Sequence, residues 1–277
     1  MVDIIVLGGS AGEHIAIKLA EILGVELGFI EVKKFPDGEL YVRVDDKSDE
    51  YIIVGSINSS DDLAVLLLLS DVLENVKLVV PYMGYARQDK VFIEGESVSI
   101  RALAKLLESW ASEIITVNIH SKEAESHFRK LRNLDAMPLI GEMYSNKDVV
   151  MVSPDRGSLE RVKVAAEVSG CEYDYLEKTR IDATTVEIKP KEMNVEGKNV
   201  VIVDDIISTG GTVVEATKKL MQLGAKSVEA ACVHAVLADF AAIKLFCAGI
   251  GDIIATDTVE GVFSKISVAG IIAKNLR

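Results

Sequence analysis

The sequence predicts an α/β protein of two similar domains, each a mainly parallel sheet flanked by helices, and three observations carry that prediction. Short β-branched runs alternate with amphipathic stretches, as in DIIVLGG, YIIVGSI, KLVVPYM and EIITVNIH. Runs that are apolar on both faces suit strands covered on both sides, the environment of a parallel sheet. Helical periodicity over Glu13 to Leu23, Asp62 to Glu74 and Ser99 to Trp110 supplies the covering layer. The pattern then restarts: DVVMVSP precedes LERVKVAAEVSG, NVVIVDD precedes VVEATKKLMQLG, and SVEAACVHAV and DIIATDT follow. Glycines closing AEILG, AEVSG and MQLG are helix stops, because a left-handed C-terminal residue costs least without a Cβ.

This repetition divides the chain into residues 1–140 and 141–277, with the join in NLDAMPLIGEMYSNKD, about Asp135 to Lys147. The closing KISVAGIIAKNLR is compatible with packing on either domain, the N-terminal one included. At 277 residues and 49% hydrophobic content, two ordinary cores fit comfortably. Lys and Arg total 30 against 43 Asp and Glu, a net charge of -13 that opposes any role resting on phosphate neutralisation along nucleic acid. Cys171, Cys232 and Cys247 are odd in number and widely spaced, which suits reduced thiols. MVDIIVLGGSAGEH lacks the basic start of a signal peptide, and LAVLLLLSDVLENV is too short and too charged at its ends to span a bilayer. A cytoplasmic protein, with neither nucleic acid nor membrane as partner, is expected.

The chemistry concentrates in VVIVDDIISTGGTVVEATKKL, Val200 to Leu220. In an open parallel sheet, ligands gather where strands end and helices begin. Ser208, Thr209, Gly210, Gly211 and Thr212 form a turn whose glycines let backbone N–H groups approach an anion, and the helix that follows adds its positive dipole end. Asp204 and Asp205 would repel a second phosphate but accept hydrogen bonds from the vicinal hydroxyls of a ribose. Together they spell a sugar phosphate. The plainer alternative is a helix N-cap by Ser208 or Thr209 with the aspartates offsetting the dipole. Capping leaves adjacent acids after four buried β-branched residues poorly explained, since one of them must turn inward and needs a partner.

This corner resembles the phosphoribosyl diphosphate binding motif of type I phosphoribosyltransferases and of ribose-phosphate diphosphokinases, and other segments resemble the second family from end to end. Phe35, Asp37 and Glu39 in KFPDGELYVRV match its adenine-contacting loop, donated in relatives by a neighbouring subunit; Pro-Asp-Gly is also a strong turn signal by itself. Arg87, Gln88, Asp89 and Lys90 in GYARQDK match its ATP-binding loop, where cations and an amide suit polyphosphate and base. Gly95 in FIEGESVS departs from the more basic bacterial version and looks like archaeal forms. His120 in TVNIHSKEAESHF matches a residue that helps bind a divalent metal and ATP, and Asp155 in VVMVSPDRGSLERV matches the aspartate sharing that metal site. A lone histidine is more often structural than a ligand, and Asp155 also suits a helix cap. Lys178 and Arg180 in LEKTRIDATTVEIKP match a pair on a mobile loop that closes over the transferring group; their spacing projects both to one side of an extended segment.

The resemblance implies a type I phosphoribosyltransferase-like fold for both domains, Mg2+ as cofactor, and ATP and ribose 5-phosphate as substrates. The implied reaction is diphosphoryl transfer to the anomeric hydroxyl, giving 5-phosphoribosyl 1-diphosphate and AMP. It also implies a homo-oligomer, at least a dimer. Two other readings stand beside it. A salvage phosphoribosyltransferase would use the same ribose corner but needs no ATP loop, and a non-catalytic synthetase-associated subunit would have lost positions such as Lys178, Arg180, His120 or Asp155, all present here.

Overall fold

A computed structural model describes residues 3–9, 11–180, 186–189 and 193–276, with 178–180 and 186–189 described by backbone alone. Contacts divide the chain into two compact units: Met1–Asp135 with Asp257–Glu260 and Ser267–Arg277, and Ala136–Thr256 with Gly261–Ile266.

The first unit contains, in order, β1 (Ile4–Gly8), α1 (Glu13–Leu23), β2 (Glu26–Lys34), β3 (Leu40–Val44), β4 (Glu50–Val54), α2 (Ser60–Val72), β5 (Val76–Val80), α3 (Ser99–Glu108), β6 (Ala111–Val117), α4 (Lys122–Ser126) and β7 (Leu131–Leu134). Its sheet runs β3-β2-β1-β4-β5-β6-β7, parallel except for the antiparallel β2–β3 hairpin. The apolar strand residues become core: Leu7, Ile53, Leu78 and Ile114 have no exposed surface, and such a side chain contributes roughly 1.5–3 kcal/mol by burial. Helix starts and stops are chemical. Ser59 and Asp62 cap α2 reciprocally, each side chain accepting the other's backbone N–H, and α1 ends on left-handed Gly24 at φ 69°.

The second unit contains α5 (Met137–Met143), β8 (Val149–Ser153), α6 (Leu159–Ser169), β9 (Glu172–Tyr175), β10 (Glu177–Arg180), β11 (Val186–Lys189), β12 (Asn199–Ile207), α7 (Gly211–Gln222), β13 (Ser227–Ala235), α8 (Ala241–Cys247), β14 (Ile250–Thr256) and β15 (Ser264–Ile266). Its sheet is parallel throughout in the order β15-β14-β13-β12-β8-β9, while β10 and β11 form a separate antiparallel ribbon. Two mostly parallel sheets flanked by helices are thus the fold that the alternating pattern predicts. The last helix, α9 (Ala269–Leu276), belongs to the first unit and packs on α1. Asp257 anchors that return: its Oδ1 accepts the Val268 N–H at 2.8 Å, and its Oδ2 lies 3.6 Å from Lys18 Nζ. Among the described residues no helix is long and apolar enough to cross a membrane.

Strand order reverses between β1 and β4 in the first sheet and between β8 and β12 in the second. Such a reversal splays the connecting loops apart at the carboxyl ends of the strands and leaves a crevice there.

Candidate active site

In the second unit the expected acidic residues lie on β12 and just beyond β8, the two strands flanking the reversal. Val150 pairs with Val200 and Val152 with Ile202, so β8 and β12 run side by side towards Asp155 and Asp204. Asp155 Oδ1 accepts the N–H groups of Gly157 (2.8 Å) and Ser158 (3.2 Å). Ser158 then donates its hydroxyl to Asp204 Oδ1 at 2.7 Å, and that oxygen also accepts the Asp205 N–H at 2.9 Å. One buried serine therefore connects the loop after β8 with the acidic pair on β12.

The two acids part company. β12 does not stop at them but continues through Ile206 and Ile207, because β13 extends alongside and pairs with both. Strand alternation sends successive side chains to opposite faces. Asp205 is 3% exposed, and its Oδ1 meets Arg161 Nη1 of α6 at 2.9 Å, the partner that an inward-facing acid requires. Asp204 keeps part of its surface in solvent. Burial, reinforced by the Asp205 charge, pushes its carboxyl up to about 8. Cys232 stands opposite Asp204 in the β12–β13 register, and burial pushes its thiol up, so it is an inert neighbour.

Beyond β12, Ser208 and Thr209 lead to Gly210, the residue preceding α7, left-handed at φ 76°. No side chain caps α7, so the simple capping explanation of Ser208 or Thr209 does not hold. Gly210 packs against Ala241, where a Cβ would approach to 3.3 Å, whereas Gly211 faces open space and Thr212 follows half-buried. A helix start without a side-chain cap presents backbone donors and a positive dipole end to an anion. Lys178 and Arg180 stand on β10, paired in register with Ile188 and Val186; their side chains lie outside what is described.

In the first unit the expected nucleotide residues do not sit at the reversal but follow the adjacent strands β5 and β6. Arg87 and Lys90 are exposed, with Lys90 Nζ 5.4 Å from the Phe92 ring centre. Gln88 and Asp89 are half-buried, as is His120, three residues beyond β6. Asp89 Oδ2 accepts the Ser121 hydroxyl at 2.6 Å, and the Asp89 carbonyl lies 2.8 Å from His127 Nε2. Phe35, Asp37 and Glu39 occupy the exposed turn of the β2–β3 hairpin. Glu39 donates its N–H to Asp37 Oδ1 at 3.2 Å, Phe35 N bonds Glu39 O at 2.8 Å, and Gly38 takes φ 96°. Phe35 packs edge-on to Tyr41 with ring centres 6.3 Å apart. Among the described residues no group of three or more His, Cys, Asp or Glu side chains converges as a metal cage.

Two family models match this architecture: the N-terminal domain of ribose phosphate pyrophosphokinase over residues 4–110, and a phosphoribosyl transferase domain over residues 135–247. Ribose-phosphate pyrophosphokinase 2 of Archaeoglobus fulgidus is 68% identical over 262 residues, covering 95% of this chain and 96% of that protein. The chain belongs to the ribose-phosphate pyrophosphokinase family. The Methanosarcina acetivorans ribose-phosphate pyrophosphokinase is 44% identical, covering 98% of this chain and 99% of its own length. The crystal structure of phosphoribosylpyrophosphate synthetase from Mycobacterium smegmatis superimposes with a TM-score of 0.84 at 28% identity, covering 99% of this chain and 98% of that one.

Sequence reasoning in this family member missed the residues that hold the site residues. These are Ser158, Arg161, Ser121, His127 and Glu96, and no local pattern in the sequence names their partners. Their partners are 32, 38, 44 and 46 residues away in four of these cases and eight in the other, and only folding brings them together.

Proposed function

We propose that this chain transfers the diphosphoryl group of ATP to the anomeric hydroxyl of ribose 5-phosphate, releasing AMP and 5-phosphoribosyl 1-diphosphate. The observation that carries this is the uncapped Gly210–Gly211 corner beside Asp204, on a sheet reversal, in a chain whose other unit has a distinct cationic loop. Family membership over nearly the whole length supports the same reading. Residues 141–277 would then bind the sugar phosphate and residues 1–140 the nucleotide. Ser208, Thr209, Gly210, Gly211 and Thr212 take the 5-phosphate, and Asp204 accepts a ribose hydroxyl. Asp205, turned inward on Arg161, adds to the burial that raises the Asp204 carboxyl and so helps keep it protonated.

Arg87 and Lys90 supply positive charge for the polyphosphate, with Gln88, Asp89 and His120 completing that loop region. Lys178 and Arg180 stabilise charge developing on the transferring group. Such a reaction asks for positioning and charge neutralisation more than covalent chemistry. Asp155 fits a magnesium ion, because two N–H groups fix one carboxylate oxygen and leave the other as a hard donor; His120, in the first unit, is likewise proposed as a metal-ligating side chain. When bound, the ion neutralises phosphate charge. Phe35, Asp37 and Glu39, on a hairpin turn exposed within its own chain, suit donation to a neighbouring subunit of a homo-oligomer, and the enzyme is read as cytoplasmic. Incubation of the purified protein with ATP, ribose 5-phosphate and magnesium should release AMP in step with sugar consumption. Activity with a nucleobase and 5-phosphoribosyl 1-diphosphate, and no AMP from ATP, would instead make it a phosphoribosyltransferase.

A further inference from the structure

The nucleotide loop is held from two sides by side chains that have no role in the reaction as described above. On one side, Glu96 Oε2 accepts the N–H groups of Phe92 (2.9 Å) and Ile93 (3.0 Å) and the amide of Gln88 (3.3 Å). Gly95, at φ 91° and with open space around it, permits the tight return that brings Glu96 back over the loop. The two backbone donors hold the Glu96 carboxyl below its ordinary range, as expected for an acceptor of several N–H groups. On the other side, Ser121 accepts the Ala124 N–H at the start of α4 and donates to Asp89 Oδ2, while His127 at the end of α4 meets the Asp89 carbonyl. Asp89 is thereby tied to the segment that begins at His120.

The consequence falls on Gln88. Its Nε2 donates to Glu96 and, at 3.3 Å, to the Lys90 carbonyl, which uses both amide hydrogens. Its Oε1 has no partner among the described residues and remains an acceptor. We infer that Glu96, Ser121 and His127 are positioning residues that preorganise the nucleotide loop, with Glu96 fixing Gln88 so that its amide oxygen faces a donor such as the amino group of the base. This rests on the functional reading above and adds residues and a base preference to it. An adenine offers an exocyclic amine where guanine offers a carbonyl, so a locked acceptor discriminates between them. Removing the lock lets the amide rotate and satisfy either base.

The test measures the wild type, E96A, E96Q, S121A and H127F as full-length protein, with ATP and with GTP, titrating ribose 5-phosphate alongside. E96A is expected to raise KM for ATP about tenfold and to narrow the ATP-to-GTP ratio of kcat/KM by a similar factor, with KM for ribose 5-phosphate unchanged. E96Q keeps an acceptor oxygen for Phe92 and Ile93 and should recover most of the ATP affinity. S121A and H127F should each raise KM for ATP roughly threefold without altering the base ratio, because they act on Asp89 and not on Gln88. Wild-type activity with an E96A variant that keeps the ATP-to-GTP ratio overturns the inference alone, whether or not E96A is less thermostable. A wild type that releases no AMP removes the functional reading and this inference with it.

Discussion

Both units have a mostly parallel sheet that reverses order beside its own first strand, β1 against β4 and β8 against β12, yet the two reversals are built differently. In the first unit the crevice is closed by backbone. Gly9 N bonds Val54 O at 2.8 Å, Ser56 N bonds Ala11 O at 3.0 Å, and Gly12 lies so close that a Cβ would sit 2.7 Å from the Val54 carbonyl. Ser56, buried, also donates its hydroxyl to Thr258 O at 2.6 Å, so the returning segment covers what remains. In the second unit the crevice is lined by Asp155, Ser158 and Asp204, and Gly211 faces nothing within 4 Å. A repeated topology therefore repeats the place where a site can form without repeating the site. The first unit sets its polar loops one and two strands further along, after β5 and β6.

The largest expected effect sharpens the open side of this contrast. Arg161→Ala leaves Asp205 buried without its cation and should cost about 3 kcal/mol of unfolding free energy, read by chemical denaturation. An unchanged midpoint would mean that the acid is not held by that pair. Next, Lys178→Ala should lower kcat by about 100-fold, or about 2.7 kcal/mol of barrier, with ribose 5-phosphate binding retained; near-normal kcat would remove Lys178 from the chemistry.

A matched pair of substitutions then addresses the comparison itself. Gly12→Ala should destabilise the ligand-free protein by about 2 kcal/mol, because backbone must yield to the new methyl group. Gly211→Ala should leave thermal stability alone and raise KM for ribose 5-phosphate about tenfold, since its Cβ enters only the space an anion would use. The reverse pattern would break the distinction between closed and open reversals.

The smallest effect is a pH dependence. Asp204 holds its proton in the fold up to about 8 but loses it near the ordinary carboxylate range when unfolded. Between roughly pH 4 and pH 8 the folded form thus binds the extra proton, so stability falls as pH rises across that window. Asp204→Asn keeps the acceptor for Ser158 and removes the titration. It should flatten the fall by on the order of 1 kcal/mol in ligand-free, metal-free protein, a modest figure because Asp204 is partly solvated. The same variant should use ribose 5-phosphate poorly. An equally steep fall in both proteins would assign the dependence to another group.

Much of the architecture was legible locally. β4, β5, β8 and β12 are short, β-branched runs apolar on both faces, as strands covered on both sides require, and Gly24 and Gly170 end α1 and α6 at left-handed φ. The Asp-Asp and Ser-Thr-Gly-Gly-Thr elements of the corner were legible for a similar reason. Each needs a residue type at a fixed short offset, an acid where a strand nears its end and a glycine where backbone must bend towards an anion.

What chain order alone determined, then, was the inventory: which segments are strands, which are helices, and which loops carry acids, glycines and cations. Tertiary structure decided how those groups divide their tasks. Asp204 and Asp205 are neighbours of identical chemistry, and only the placement of Arg161 and Ser158 on α6 and its approach separates a buried, neutralised acid from a partly open one. Hydrogen bonds and ion pairs act over about 3 Å of space, whatever the distance along the chain, so no local pattern could assign those partners.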